Sequence, residues 1–461
     1  VTQTSTGRRT AGATVRGGQQ PVPGTSGPVP AARGDTAPTL VERLLQALSG
    51  SPGRLRIVAA GSALACVVFA FLGASALQAR ANALEDARRD AAQLVRVQEV
   101  AADLARADAA VATGFLNGGA EPVALTAEYD AAVAAASRQL VDAARAVPAD
   151  GRDLALANAL LTDYTRQIAH ARDNNRLNLP LGSGYLVIAS QNVLRDQIVP
   201  LLDSAAESSA ARVTGDFDRA GSAATRLYLG AFVVLGALLG VQLWLARRTR
   251  RFVNTGLAAA TVAVVVGIGA GAVALSSSGS LADRVRTTSY AASQALAAAR
   301  DGAYSAKGLE SLTLVKQGGG GAYEAQWKER KAAVDTALRT AGSAGVTVAG
   351  ARSALGQWET THTLIRALDD GGDWPTAVLV ATRAEGTEQP AAGEGRSSNA
   401  DFAALEAAID PLLAAQATTV TTELGRPWTG LQITGWTILV LGLAAALAAV
   451  AGVSQRLGEY R

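Results

Sequence analysis

The sequence predicts an all-α membrane protein, with four transmembrane helices and two extracytoplasmic up-down four-helix bundles arranged as a tandem pseudo-repeat. Three observations carry that reading. Residues 57–77, 227–246, 252–275 and 431–453 are apolar runs without a charged residue, each long enough for the roughly 30 Å of a hydrocarbon core. Between the runs, apolar residues recur in steps of three and four, the helical period. The two halves of the chain also repeat each other at an offset of about 200 residues. Aromatics are only 5% of the chain and Ala, Val and Leu carry its apolar weight, which suits helix seams and disfavours an all-β fold.

Taken in order, residues 1–39 form a tail rich in Thr, Gly and Pro with scattered Arg, a composition expected to stay disordered. Val1 reads as a literally translated alternative start codon. Within residues 40–56, Leu40, Val41, Leu44, Leu45 and Leu48 make one face of a short amphipathic helix suited to the membrane surface or a partner. The first span follows at 57–77. A cleaved signal peptide is disfavoured there, because both the leader and the apolar run are too long.

Basic residues near span ends set orientation. Seven Arg precede the first span against Asp35 and Glu42, and the hairpin between spans two and three reads Arg247-Arg248-Thr249-Arg250-Arg251. Both belong in the cytoplasm, so both termini lie inside a plasma membrane and the two long connections lie outside. Residues 80–226 carry 15 basic against 19 acidic residues, and residues 276–430 carry 14 against 17. The overall charge of +3 is therefore a topology signal that also draws anionic membrane lipids, and nucleic acid is not an expected partner.

Each long connection reads as a bundle. In the first, Leu94, Val97, Ala101, Leu104, Asp108, Val111 and Phe115 form one seam, and Leu154, Ala157, Leu161, Tyr164, Ile168 and Ala171 another. In the second, the seams are Leu355, Trp358, His362, Ile365 and Leu368, then Phe402, Leu405, Ile409, Leu412 and Gln416. Breaks at 117–122, 147–151 and 177–184 match breaks at 317–321, 341–345 and 369–399. With the first helix of each bundle rising from the membrane, the first and third breaks fall at a distal tip. Asn117, Gly118, Gly119, Asn174, Asn175, Arg176 and Tyr185, with Gly319, Asp370 and Trp374, are the candidate partner-binding residues, offering more polar and aromatic surface than a chain reversal needs. Pro200 is expected to kink the fourth helix.

Inside the bilayer, the pairs Gly236 and Gly240, and Gly267 and Gly271, have the spacing of close helix packing. Arg247, Arg248, Arg250, Arg251, Arg456 and Tyr460 are the candidate cytoplasmic output residues. One Cys and two separated His leave no metal site and no nucleophile constellation, so neither an enzyme nor a cofactor is expected. His362 reads as a satisfied core histidine rather than a pH sensor. Asp108, costly in a seam unless paired, is either a register-setting or ligand-contacting residue or a solvated seam edge.

Outward bundles joined to spans resemble the sensory modules of bacterial chemoreceptors and histidine kinases, but no HAMP-like linker or signalling coil is present here. "FLNGGAEP" at 115–122, "NNRLNLPLGSGYL" at 174–186, "LIRALDDGGDWPTAV" at 364–378 and the terminal "QRLGEYR" at 455–461 carry a resemblance to the actinobacterial four-span GlnX family, over most of the chain from about residue 55. That resemblance implies a relay of extracellular aspartate or glutamate status, with a solute-binding lipoprotein (GlnH) as the outer partner and a serine/threonine kinase (protein kinase G) as the inner one. The alternatives are a non-signalling envelope scaffold and a direct small-molecule sensor with a pocket near Asp108. Oligomeric state is left open, a dimer included.

Overall fold

The computed structural model describes residues 51–119, 121–249, 254–383 and 395–458. The chain divides into residues 1–54 and 55–461, and the description concerns the second unit. The expected helix at 40–48, Arg250, Arg251, Tyr460 and residues 384–394 lie outside the described residues, as do the side chains of Arg248 and Arg456.

Among the described residues every regular element is helical. The first half runs α1 (Ser51–Phe115), α2 (Val123–Ala146), α3 (Gly151–Arg176), α4 (Leu181–Val187), a π-helical stretch (Ile188–Ile198) and α5 (Val199–Thr249). The second runs α6 (Thr255–Val285), a π turn (Arg286–Tyr290), α7 (Ala291–Val315), α8 (Gly321–Ser343), α9 (Ala349–Asp370), α10 (Trp374–Thr382), α11 (Ser398–Gly425) and α12 (Pro427–Gly458). Four continuous helical runs are long and apolar enough to cross a membrane: Gly53–Phe115, Leu181–Arg247, Thr255–Val315 and Ser398–Gln455. The protein is thus an all-α, multi-pass membrane protein. At 1.5 Å per residue, α1 reaches roughly 60 Å beyond the end of its apolar run.

Three details depart from the sequence reading. The long connection after α9 contains a helix of its own, α10, started by the Asp373 side chain, which accepts from Thr376 N at 3.3 Å, and by Pro375 in the first turn. The last seam uses Leu413 rather than Leu412 as its buried residue. Immediately before Pro200, residues Ile188–Ile198 form a π-helical stretch rather than a regular α-helix.

The spans pack around Cys66, Phe69, Leu227, Leu238, Val264 and Ile438, while Phe232, Val262 and Leu447 point outward and are mostly exposed, as lipid-facing side chains must be. Gly267 meets Phe69, and a Cβ at Gly271 would come within 2.8 Å of Leu227, so this pair does seat a helix contact. A Cβ at Gly236 or Gly240 would meet nothing within 4 Å among the described residues, so this expected contact is not made among them. The tightest crossing is one the sequence reading passed over. Gly256 and Gly452 allow α6 and α12 to touch backbone to backbone, and Asn254 locks the crossing, capping α6 with Oδ1 and donating from Nδ2 to Gly452 O at 2.8 Å.

Outside the spans lie two bundle cores. The first collects Val97, Leu104, Leu140, Leu154, Tyr164, Ile168, Leu186 and Ile198 from α1 to α5. The second collects Leu296, Leu309, Trp327, Leu338, Trp358, Leu405 and Ile409. The two are not separate: Leu312 enters the first core and Ala105 the second. Arg80 Nε donates to Ser278 Oγ at 2.8 Å, and Thr113 Oγ1 and Ser311 Oγ lie 2.9 Å apart. Both pairs are 198 residues apart in sequence. α1 and its counterpart α6–α7 therefore run parallel and in register from the membrane boundary to the far end.

Candidate functional site

The distal end is assembled from four chain reversals. After α1, Asn117 Nδ2 donates to Thr113 O at 3.2 Å and Gly118 takes φ +68°, the left-handed conformation glycine allows. After α3, Leu179 N bonds Asn174 O at 2.9 Å with Asn178 at φ +52°, a Schellman closure with Asn in the usual glycine place. Gly372 closes α9 in the same way, with Asp373 N on Leu368 O at 2.9 Å. Gly119 lies against the carbonyls of Asn175 and Arg176, so the first and third connections of the first bundle touch. Leu116, Leu314, Ile365, Ala377 and Val380 join the two halves beneath them. Val123, Leu177 and Leu181 are each at least 65% exposed, an apolar rim far from the spans.

From this end a line of polar and aromatic contacts descends into each bundle. In the first, Glu121, seated over Gly114, pairs with Arg172 at 2.7 Å. The Arg172 guanidinium stacks 4.3 Å from the centre of the Tyr129 ring, whose neighbour is Tyr164. The Tyr164 hydroxyl donates to Asp108 Oδ1 at 3.4 Å, and burial pushes its own ionisation far above the ordinary range. Asp108, 1% exposed, also accepts from Ser190 Oγ and pairs through Oδ2 with Arg195 at 2.9 Å. Arg195 donates in turn to Ser190 O at 2.9 Å. Ser190 and Arg195 both belong to the π-helical stretch, and Asp108 and Arg195 face Gly308 of the other half.

In the second bundle, Asp370 pairs with Arg366 at 2.6 Å, and Arg366 lies 3.6 Å from Glu324. Glu324 Oε2 meets His362 Nε2 at 3.0 Å, and His362 Nδ1 meets Glu310 Oε2 at 2.9 Å, while Trp327 stacks on the imidazole at 3.5 Å. Glu310 pairs with Lys307 at 2.7 Å and accepts from Ser398, which also receives Trp358 Nε1 at 3.0 Å. Burial opposes the charge on His362, but its two carboxylate partners outweigh it and raise its pKa. Burial likewise opposes ionisation of Glu310, yet Lys307 and His362 hold its pKa down to about 2. Lys307, Glu310 and His362 thus satisfy one another inside the bundle.

A separate residue ties the two bundles together. Arg106 of α1 pairs with Glu128 of its own bundle at 3.2 Å and with Glu406 of the other, where Tyr304 also donates. The geometry can thus do one kind of chemistry well. It can exchange one arrangement of hydrogen bonds and ion pairs for another across an interface between two bundles.

Residues 83–218 match the family model of an actinobacterial sensor domain.

The matched segment begins in α1 beyond the apolar run and ends in α5 before the next one. It therefore contains the whole first contact line. The match points to a sensing and signalling role. No curated protein and no solved structure matches the chain.

The structure brings Asn117, Gly118 and Gly119 together with Asn174, Asn175 and Arg176 at the end of the matched segment. Arg176 is exposed, with only Asp173 at 3.8 Å, while Asn174 donates to His170 O at 2.8 Å. Tyr185 lies lower, within α4 against His170 at 5.4 Å between ring centres. Gly319 sits in the reversal before α8. Trp374 is half-buried: its indole donates to Leu314 O at 2.9 Å and its ring packs on the cluster joining the halves, so it also anchors the tip. Arg247 is exposed. Asp108, 1% exposed, is not a solvated seam edge.

Sequence reasoning passed over Glu121, Arg172, Arg195, Lys307, Glu310 and Glu324. A signal was present for Lys307 and Glu310. Lys is rare in this chain, and an i, i+3 charge pair inside an Ala-rich seam has to be buried together.

Proposed function

We propose that the protein is a transmembrane signal relay. An extracytoplasmic partner docks on the distal tip, shifts the packing of the two bundles, and the spans carry that shift to the Arg247–Arg251 hairpin and the C-terminal tail. The observation that carries this reading is the in-register pairing of α1 with α6–α7. Both helices run unbroken from tip to span, so a displacement at one end has a rigid path to the other. The sensor-domain match supports the sensing half of the reading. The resemblance to the GlnX family supports the finer one: a solute-binding lipoprotein reporting aspartate or glutamate outside, and a serine/threonine kinase of nitrogen and carbon metabolism receiving the signal inside.

Docking must favour one packing by about 1–3 kcal/mol to transmit anything. The test places spin labels at Arg247 and Gln455 of the full chain in lipid nanodiscs and measures their separation with and without amino-acid-loaded lipoprotein. A ligand-dependent change supports the relay. An unchanged distance on a protein that still binds the lipoprotein identifies a scaffold instead. Charge reversal at Arg176 with Asn175→Asp is expected to weaken lipoprotein binding at least tenfold while leaving membrane insertion intact, as scored by pull-down from membranes.

A further inference from the structure

Away from the tip and from both contact lines, a cavity of about 130 Å³ lies between α1, the start of α7 and α11. Its walls include Leu94 and Arg96 of α1, Tyr290 and Gln294 of the second half, and Val420 and Thr421 of α11. Arg96 and Gln294 are 198 residues apart, the separation that marks the in-register pairs, so the cavity opens where the two equivalent helices lie side by side. The π turn Arg286–Tyr290 ends at it, and π turns inside α-helices cluster at functional sites.

The chemistry of the wall is specific. No Asp or Glu lines the cavity. Arg96 forms no ion pair among the described residues, its contact being a 3.4 Å hydrogen bond from Nη1 to Gln93. A partly buried guanidinium without a carboxylate is an anion site. The Tyr290 hydroxyl is buried without a well-formed hydrogen bond, and Gln294 is the neutral side chain beside it. The remaining lining is largely aliphatic. A cavity of about 150 Å³ holds a benzene, so this one has room for about six or seven heavy atoms.

We propose that the cavity binds a small monocarboxylate with a short aliphatic tail. The carboxylate lies on Arg96, with Gln294 and Tyr290 as neutral donors, and the tail lies against Leu94 and Val420. A dicarboxylate is disfavoured, because the lining offers one guanidinium and no second cation for its other charge. Bound there, the ligand touches both halves at once and favours whichever bundle packing closes on it. The site is independent of tip docking, and its binding is read directly.

The experiment titrates isovalerate into the full chain in nanodiscs by calorimetry, with isovaleramide as the uncharged isostere. Saturable isovalerate binding is expected, at least tenfold tighter than the amide. Arg96→Gln should lose that preference by about tenfold or more, and Ala417→Phe, which fills the cavity, should abolish binding. A diazirine analogue of a short carboxylate, used on the unmodified protein, should label peptides around Leu94 and Val420 and be competed off by isovalerate. This labelling keeps the test valid even where a substitution impairs folding. The proposal is overturned by absence of saturable binding up to roughly 10 mM, by Arg96→Gln binding as the parent does, or by labelling that isovalerate does not compete.

Discussion

Asp108 shows how much one buried charge decides. Three side chains from two other elements converge on it: Tyr164 of α3, and Ser190 and Arg195 of the π-helical stretch. Removing one member of such a set leaves the others desolvated and unpaired, which costs about 3–5 kcal/mol. Asp108→Ala should therefore lower thermal stability sharply, whereas replacing both partners, Asp108→Leu with Arg195→Met, should recover much of the loss; the melting transitions of the three proteins check this. Trp374→Ala removes a half-buried ring and its bond to Leu314, a loss of about 1–3 kcal/mol, and should expose the connection after α9 to limited proteolysis before the bundle cores open. Asp108 was legible in the sequence as an anomaly, because an acid in an apolar seam has to be explained. Its partners were not legible, since Arg195 is one of 38 arginines and only the fold brings it across from another helix. The fold-back of Trp374 was not legible either, because an aromatic next to a Gly-Gly turn looks the same in sequence whether it faces solvent or packs on its own core.

At the scale of an element, the second bundle is held by ionised groups and so answers to pH. His362 has a folded pKa above its ordinary 6.5. The stability it contributes is fully present below that ordinary value and is lost as pH rises through the raised one. Glu310, held at about 2 against an ordinary 4.5, contributes stability present above 4.5 and lost as pH falls toward 2. The melting temperature should accordingly sit on a plateau between about pH 5 and 6.5, fall on the alkaline side, and fall again below pH 4.5. His362→Gln should lower the plateau and remove the alkaline decline; a decline that persists in this variant would assign it to another group. Helices and spans were the easiest part of the fold to read, because hydropathy and the 3.6-residue period are local properties of the chain. The π-helical stretches were not readable, since their cause lies partly in the tertiary contacts of Ser190 and Arg195. The α10 helix was hidden for a different reason. Its Asp-Trp-Pro start is a good helix initiation signal that a long polar connection obscured.

For the whole molecule, the in-register pairing makes a direct prediction. Thr113 and Ser311 touch across the two halves at the top of α1 and α7, and the single native cysteine, Cys66, is buried among the spans. Thr113→Cys with Ser311→Cys should oxidise to an internal crosslink, visible as a mobility shift that reductant reverses. The crosslinked protein should still bind a tip partner, and the label distance at the hairpin should no longer respond to it. A response that survives the crosslink would show that the halves need not move against each other. The doubled plan was visible in the sequence at an offset of about 200, but the closeness of the halves was not. Repetition says that two similar bundles exist, and only the small residues facing each other across α1 and α7 say that they share one interface.

Joining the halves in one chain has a consequence for what that interface can contain. Residues on the axis of a true homodimer face their own copies, so each must suit itself as a neighbour. Asp108 lies against Gly308 of the opposite helix, and at the in-register separation of 198 its own counterpart is Ala306. In a dimer of identical subunits that counterpart would be a second buried carboxylate in the same interface, and one of the two would have to take up a proton or move away. Within this single polypeptide the counterpart position holds alanine and the facing one glycine. The acid keeps its partners, the opposite helix makes room, and the two halves can diverge in what they recognise without breaking the contact that holds them in step.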